Sequence, residues 1–242
     1  MVNDSIKDDL WRHFFKNPRK NYNPYILRLL DYPEYIIFDK EIMDSYKGKW
    51  KEFFKNDNPV YLEIGSGSGN FAQGMAMRYP ERNHIGLELR FKRLVLSATK
   101  VKRDNSKNVL FLRRRGEEVL SFVAENEIEG VYVNFPDPWE ENEKNRVVQE
   151  SFFKILDVVL KKVENFSLNT DHDKYYQDVI DLVNSIDGYE VIYHTPDLHN
   201  SEKAADNIKT EFEQLFLCKH NKNINYIEIE KNKITVIGGL YG

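Results

Sequence analysis

Val60-Tyr61-Leu62-Glu63-Ile64-Gly65-Ser66-Gly67-Ser68-Gly69-Asn70 reads as a short apolar strand running into a glycine-rich turn. A helix is predicted after it, with Phe71, Met75 and Tyr79 at spacings of four on one face. Glycines at alternate positions let the backbone approach a bound group, because they carry no Cβ. The helix start aims free N–H groups and positive potential at that group. The dinucleotide fingerprint is not met: counted from Gly65, its third glycine falls at Asn70. Glu63 also points negative charge toward the loop, which repels a pyrophosphate and suits a cationic or amino-bearing end. By itself the stretch is equally well a tight turn without a ligand.

A second strand, His84-Ile85-Gly86-Leu87-Glu88, ends in an acidic residue roughly 20 residues past the glycines, where α/β folds put a carboxylate on a ribose diol. Glu63, the three glycines and Glu88 together favour a nucleoside cofactor without a pyrophosphate, and S-adenosylmethionine (SAM) fits.

The 242 residues suffice for one large domain, or one domain with an extension, and 41% hydrophobic content supports a sizeable core. The first residues show no basic-then-apolar signal pattern, and no apolar run approaches the roughly 18 residues of a membrane span. Cys218 is the single cysteine, so neither a disulfide framework nor a thiolate metal cluster is expected. A cytoplasmic protein, not membrane-bound, is the expectation, as a monomer or homodimer. The net charge of −4 argues mildly against nucleic acid. Its distribution argues the other way: Arg90, Lys92, Arg93, Lys100, Lys102, Arg103, Lys107, Arg113, Arg114 and Arg115 face one acid, Asp104. The run is either a solvated helix face or a phosphate-binding rim beside the cleft.

Residues 1–56 are aromatic and charged, broken by Pro18, Pro24 and Pro33, and read as an irregular arm with one or two short helices, packed on a main domain at 57–242. From Val60 the pattern alternates. Strands are predicted at 60–64, 84–88, 109–113, 131–135 and 166–169, and helices at 71–79, 91–104, 117–125, 149–162 and 174–185. Such alternation gives a mostly parallel sheet with helices on both faces. A late hairpin follows, from strands at 189–193 and 225–230, with a long polar loop and a helix near 210–219 between them. A late antiparallel strand on such a sheet is the Rossmann-like architecture of class I SAM-dependent methyltransferases.

The fourth strand runs into Pro136-Asp137-Pro138-Trp139. Two prolines fix the backbone around Asp137 and remove two N–H donors. Strand ends at this edge face the ligand, so a rigid Asp beside a flat Trp suits a planar base held by edge and face. The alternative is a rigid turn with Trp139 as a core plug. Asp171 ends the fifth strand, either for substrate or as the cap of the next helix. Thr210 and Glu213 have capping-box spacing; a substrate role for them rests on the resemblance that follows.

The chain resembles the bacterial tRNA (guanine-N7)-methyltransferases from about Asp44 to Glu230. The shared motifs are Leu62-Glu63-Ile64-Gly65, Gly86-Leu87-Glu88, Phe135-Pro136-Asp137-Pro138-Trp139, Thr170-Asp171, Asp197-Leu198-His199-Asn200 and Thr210-Glu211-Phe212-Glu213. The resemblance implies SAM as cofactor and tRNA as partner, with a variable-loop guanine methylated at N7. It implies that Glu63, Gly65, Gly67, Gly69, Glu88, Arg115, Gly116 and Asp137 surround SAM, with Asp137 also at the reaction centre. It implies that Asp171, Thr210, Glu213 and the position of Glu141 meet the substrate, and it calls for no metal. Two departures stand out. Arg115 falls where the family has an Asp for the adenine amino group; Arg115 cannot accept a hydrogen bond, and Glu117 is the nearby substitute. After Trp139, Glu140-Glu141-Asn142-Glu143 replaces a basic loop, and Glu141 replaces a substrate-contacting Lys. Phosphate contacts then lie on the basic run and the arm, or RNA binding is altered. Two alternatives remain: a SAM-dependent methyltransferase of another RNA or of a small molecule, and a non-catalytic RNA-binding relative. A nicotinamide dehydrogenase fits least.

Overall fold

A computed structural model describes residues 4–17, 22–220 and 222–232. Its centre is an eight-stranded sheet in the order β1-β4-β3-β2-β5-β6-β8-β7. The strands are β1 (Ile36–Ile37), β2 (Val60–Ile64), β3 (Asn83–Leu87), β4 (Val109–Leu112), β5 (Ile128–Asn134), β6 (Leu160–Thr170), β7 (Tyr189–Thr195) and β8 (Asn225–Lys231). Strands β1 to β6 pair in parallel. Strand β8 inserts antiparallel between β6 and β7. The order reverses at β2, with β3 on one side and β5 on the other. At such a switch point the two connections leave to opposite faces and open a crevice at the carboxyl ends.

Helices α5 (Asn70–Arg78) and α6 (Phe91–Asp104) follow β2 and β3. They cover one face through Ala72, Ala76, Leu94, Ala98 and Val101, packed with Val109 and Phe111. On the other face lie α7 (Val119–Phe122), α8 (Glu150–Val159) and α9 (Asp173–Ser185). There Phe122, Phe152, Phe153, Leu156, Tyr175 and Val179 close over Leu62, Val131, Phe166 and Ile227. The apolar stripe of each helix recurs at three and four residues, which places it on the sheet.

The structure departs from the sequence reading in three places. The helix expected at 149–162 ends at Val159, and β6 begins at the next residue. Val158, Val159 and Leu160 continue the apolar run, so no turn residue marks the switch; pairing of Leu160 with Ile128 decides it. The expected helix at 117–125 is a 3-10 turn at Gly116–Glu118 followed by the single turn of α7. The arm holds more than one or two short helices: α1 (Asp4–Phe14), α2 (Pro24–Arg28), α3 (Lys40–Ser45) and α4 (Trp50–Phe54). It also supplies β1, which extends the sheet beyond β4. Trp50 of α4 is fully buried and donates Nε1–H to the Phe122 carbonyl at 2.8 Å. The tail 234–242, whose apolar residues suit a further edge strand by sequence, lies outside the described residues.

Candidate cofactor cleft and reaction edge

The glycine loop leaves β2 at the switch point. Gly65, Gly67 and Gly69 have φ of +79°, +57° and +77°, a region that strains residues with a Cβ. Packing adds to the demand at Gly69, where a Cβ would sit 2.7 Å from the Ser97 side chain. Above Gly65 there is open space. Ser66 N–H donates to the Leu87 carbonyl (2.7 Å), and Lys100 Nζ donates to the Ser68 carbonyl (2.9 Å). The loop is thus pinned while its outer side stays open.

A cleft of about 280 Å³ opens there, lined by Gly65, Leu87, Glu88, Arg115, Gly116 and Glu117, with Phe152 and Ile155 beneath. Glu88 lies just past β3, half-buried, with one carboxylate oxygen accepting the N–H groups of Leu89 and Arg90 at 2.7 Å. Arg115 and Glu117 are both exposed at the rim. Neighbouring Arg114 is buried and bonds Asp44 of α3 and Ser121, which ties the arm to the cleft.

Glu63 is 4% exposed. One oxygen accepts Asn134 Nδ2–H at 3.0 Å, and Oε2 has no hydrogen-bond partner. Burial pushes its pKa up to about 7, against the pull of Asn134 and the Ala72 backbone and with a small push from Glu88. Ser66 Oγ is buried without a partner as well. An orphaned carboxylate oxygen and an orphaned hydroxyl under an open glycine loop fit a ligand with a cationic, hydrogen-bonding end. The donor set therefore fits SAM: Glu63 and the loop for its amino-acid end, Glu88 for the ribose, Gly116 and Glu117 for the adenine.

At the end of β5 the chain turns sharply. Phe135 and Trp139 have φ of +51° and +44°, a strained conformation for large side chains. Asp137 is exposed, and its Oδ1 accepts the Trp139 N–H at 3.2 Å. Trp139 is 43% exposed, so it is not a core plug. Arg146, 5% exposed, donates to the Pro138 carbonyl (2.7 Å), to Asp178 (2.7 Å) and to Glu143 (3.2 Å). It clamps the Asp137 turn to α9. Arg146→Met is expected to cost about 2 kcal/mol of stability, by leaving the Pro138 carbonyl unpaired and Asp178 to Lys174 alone. Urea melts with parallel turnover assays check this; a melt like that of the unmodified protein removes the clamp.

The remaining expected residues surround the same edge. Asp171 follows β6, but α9 is capped by His172, whose Nδ1 accepts the Tyr175 N–H at 3.0 Å. The capping alternative for Asp171 is thereby removed. Thr210 caps α10 (Glu211–Lys219), with Glu213 completing the capping box. Glu213 is fully buried, and its Oε1 accepts from His199 (2.7 Å) and Asn207 (2.6 Å), while Oε2 accepts the Thr210 N–H (3.2 Å). In this structure its carboxylate takes these three hydrogen bonds from the 198–210 segment. Glu141 stands exposed in the acidic loop. Phe135 and Phe212 meet ring to ring at 4.9 Å, and Ser68 Oγ donates to Glu211 at 2.5 Å. The glycine loop, the Pro-Asp-Pro-Trp turn and the start of α10 thus converge.

Sequence reasoning missed Asn134, Asn169 and Arg146. Asn134 shares the strand parity of Tyr132 beside the Pro-Asp-Pro-Trp motif, a usable signal. The partners of Arg146 lie up to 32 residues away, and no local pattern marks it. Among the described residues no group of three or more His, Cys, Asp or Glu is placed to hold a metal ion, and no helix is long and apolar enough to cross a membrane.

Among solved structures, the 16S rRNA methyltransferase KamB superposes with a TM-score of 0.58 at 14% identity, over 77% of this chain and 94% of that one. This likeness concerns the fold. Sheet order, glycine loop and cleft define a class I SAM-dependent methyltransferase, and SAM is its cofactor. Residues 57–226 match a family model described as putative methyltransferase. A tRNA (guanine-N(7)-)-methyltransferase of a Geobacillus species is 35% identical over 198 residues, 81% of this chain and 87% of that protein. That of Enterococcus faecalis is also 35% identical, over 76% of this chain and 85% of that protein. The chain belongs to the tRNA (guanine-N7)-methyltransferase family. A bifunctional glycosyltransferase/methyltransferase of Fusobacterium nucleatum is 60% identical over 96% of this chain, which spans 37% of that protein's length.

Proposed function

We propose that this protein methylates N7 of a guanine in the variable loop of tRNA. The observation that carries the reading is the meeting of Phe135, beside Asp137, with Phe212, inside Thr210–Glu213, next to the glycine loop. The named activity of the 35%-identical relatives supports it. SAM supplies an electrophilic methyl group on a sulfonium. Guanine N7 is an exposed lone pair, so no residue need remove a proton from the nucleophile. The protein's contribution is positioning and electrostatics. Asp137 offers a carboxylate on a rigid turn to a base that becomes cationic. Trp139 and Phe212 offer exposed ring faces at the mouth. Asp171, released from capping, offers a second carboxylate.

The acidic loop does not oppose this reading. Lys174 neutralises Glu143 (2.7 Å), and Glu140 is held in a hydrogen bond with His172 Nε2 (3.1 Å). Arg90, Lys92, Arg93, Lys102 and Arg103 are exposed on and before α6, and a phosphate backbone fits there. Lys92→Ala with Lys102→Ala is expected to weaken tRNA binding and to lower the slope of log affinity against log salt by about one for each phosphate no longer neutralised. Filter binding from low to high salt checks it; an unchanged slope places the phosphates elsewhere.

The decisive experiment incubates the protein with radiolabelled SAM and unmodified tRNA, then maps N7-methylguanine by chain cleavage. Label at one variable-loop guanine is expected. SAM binding with no label in tRNA favours a different acceptor, the second reading. The bifunctional relative, whose other activity is glycosyl transfer, is the observation behind that second reading.

A further inference from the structure

On the sheet face that carries α5, a cavity of about 320 Å³ lies beneath the 198–208 segment, separate from the cofactor cleft. Its walls include the rings of Phe71, Tyr132 and Tyr226. Asn207 and Ile208 roof it, and the buried Glu213 carboxylate holds Asn207 in place. At its upper end stand Asn134 and Asn169, paired across β5 and β6 immediately before the Asp137 and Asp171 turns.

These two amides form a relay whose polarity is set at one end. In its ionised form, which a cationic cofactor end favours, the Glu63 carboxylate accepts only, so Asn134 turns Nδ2 toward it, at 3.0 Å. Asn134 Oδ1 is then left to face Asn169, and it accepts Asn169 Nδ2–H at 3.0 Å. Asn169 must in turn aim Oδ1 away from the relay. That oxygen is buried, on a side chain 4% exposed, and has no partner. A buried acceptor without a donor is a cost the fold does not need, and here it belongs to a residue that lines a cavity with flat aromatic walls.

Resting on the reading of a guanine N7 acceptor, we infer that this cavity receives the target guanine and that Asn169 Oδ1 accepts from the N–H donors of its Watson–Crick edge. Guanine offers N1–H and the 2-amino group on that edge, while N7 lies on the opposite side of the ring and stays free for methylation. Adenine would set its N1 lone pair against the Asn169 oxygen. The relay thus lets the residue that faces the cofactor, Glu63, also fix which base edge is accepted. Asn169 is a specificity-determining residue, Asn134 a positioning residue, and Glu213 acts by holding the roof.

The test compares tRNA carrying guanosine or inosine at the methylated position. Inosine keeps N1–H and N7 but lacks the 2-amino group. The unmodified protein is expected to prefer guanosine by roughly tenfold in kcat/KM, the worth of one hydrogen bond. Asn169→Leu is expected to lose that preference and to lower kcat/KM on guanosine by about tenfold or more, with SAM affinity unchanged. Equal losses on both tRNAs in Asn169→Leu, with the preference intact, overturn the inference while leaving tRNA methylation standing. A readout without turnover separates the two claims: free guanosine, titrated into the SAM-bound protein, is expected to shift the Asn169 side-chain amide resonance. No shift at saturation overturns the cavity assignment, whatever the tRNA assay shows; a shift without methylated tRNA upholds the cavity and overturns only the choice of tRNA.

Discussion

Glu63→Gln is expected to weaken SAM binding by roughly a hundredfold or more while making the ligand-free protein more resistant to denaturant at pH 8. Both effects come from one buried oxygen. Glu63 Oε2 has no partner, and burial lifts the carboxyl pKa from 4.5 to about 7. The folded pKa lies above the unfolded one, so the contribution of this group to stability is full below about 4.5 and is lost as pH rises through 7. Between those limits the unmodified protein loses about 3 kcal/mol from this group. Glutamine carries no charge, so the variant lacks that loss, and its melting midpoint at pH 8 rises. A cationic cofactor end reverses the balance by favouring the ionised form. SAM binding is therefore expected to release a proton near pH 6, and affinity to fall as pH drops below 7, by at most about tenfold per unit. Calorimetry in buffers of different ionisation heat, beside urea melts at pH 5 and pH 8, reads both halves. If Glu63→Gln binds SAM as tightly as the unmodified protein, Glu63 is a structural residue.

The central fold could be read from sequence because each parallel strand is a short apolar run followed by an amphipathic helix, and those periods are local. Val60–Ile64 and Phe91–Asp104 fall where the pattern puts them. Long-range pairing was not legible. Leu160 leaves the helical run because Ile128 waits across the sheet, and Ile36–Ile37 becomes a strand because β4 offers an open edge. The site divides the same way. Glycine spacing and the Pro-Asp-Pro-Trp turn announce themselves, since backbone geometry requires those residue types. The contacts of Glu213 with His199 and Asn207 were not legible beyond its capping-box spacing, because they form only when the 198–207 loop folds over it. The relay through Asn134 and Asn169 and the clamp by Arg146 exist only once distant strands and helices are side by side.

Asp137→Asn is expected to lower kcat by roughly a hundredfold to a thousandfold, with little change in melting. The substitution isolates charge from shape. Asp137 Oδ1 accepts the Trp139 N–H and closes a turn whose flanking residues, Phe135 and Trp139, sit at positive φ. An asparagine carbonyl oxygen makes the same bond, so the turn and its strain persist. What is lost is the negative charge beside a base that gains positive charge as its N7 is alkylated. Asp137→Ala loses the turn bond as well, and is expected to cost a further 0.5–1.5 kcal/mol or so in stability. The pair of variants therefore separates the electrostatic role, carried by both, from the conformational one, carried by alanine alone. Single-turnover rates at saturating SAM and tRNA report the chemical step, and SAM affinity measured alongside shows whether Asp137 also holds the cofactor. An Asp137→Asn protein with more than half of the unmodified rate would mean that the reaction is driven by positioning alone, with Trp139 and Phe212 as its remaining agents.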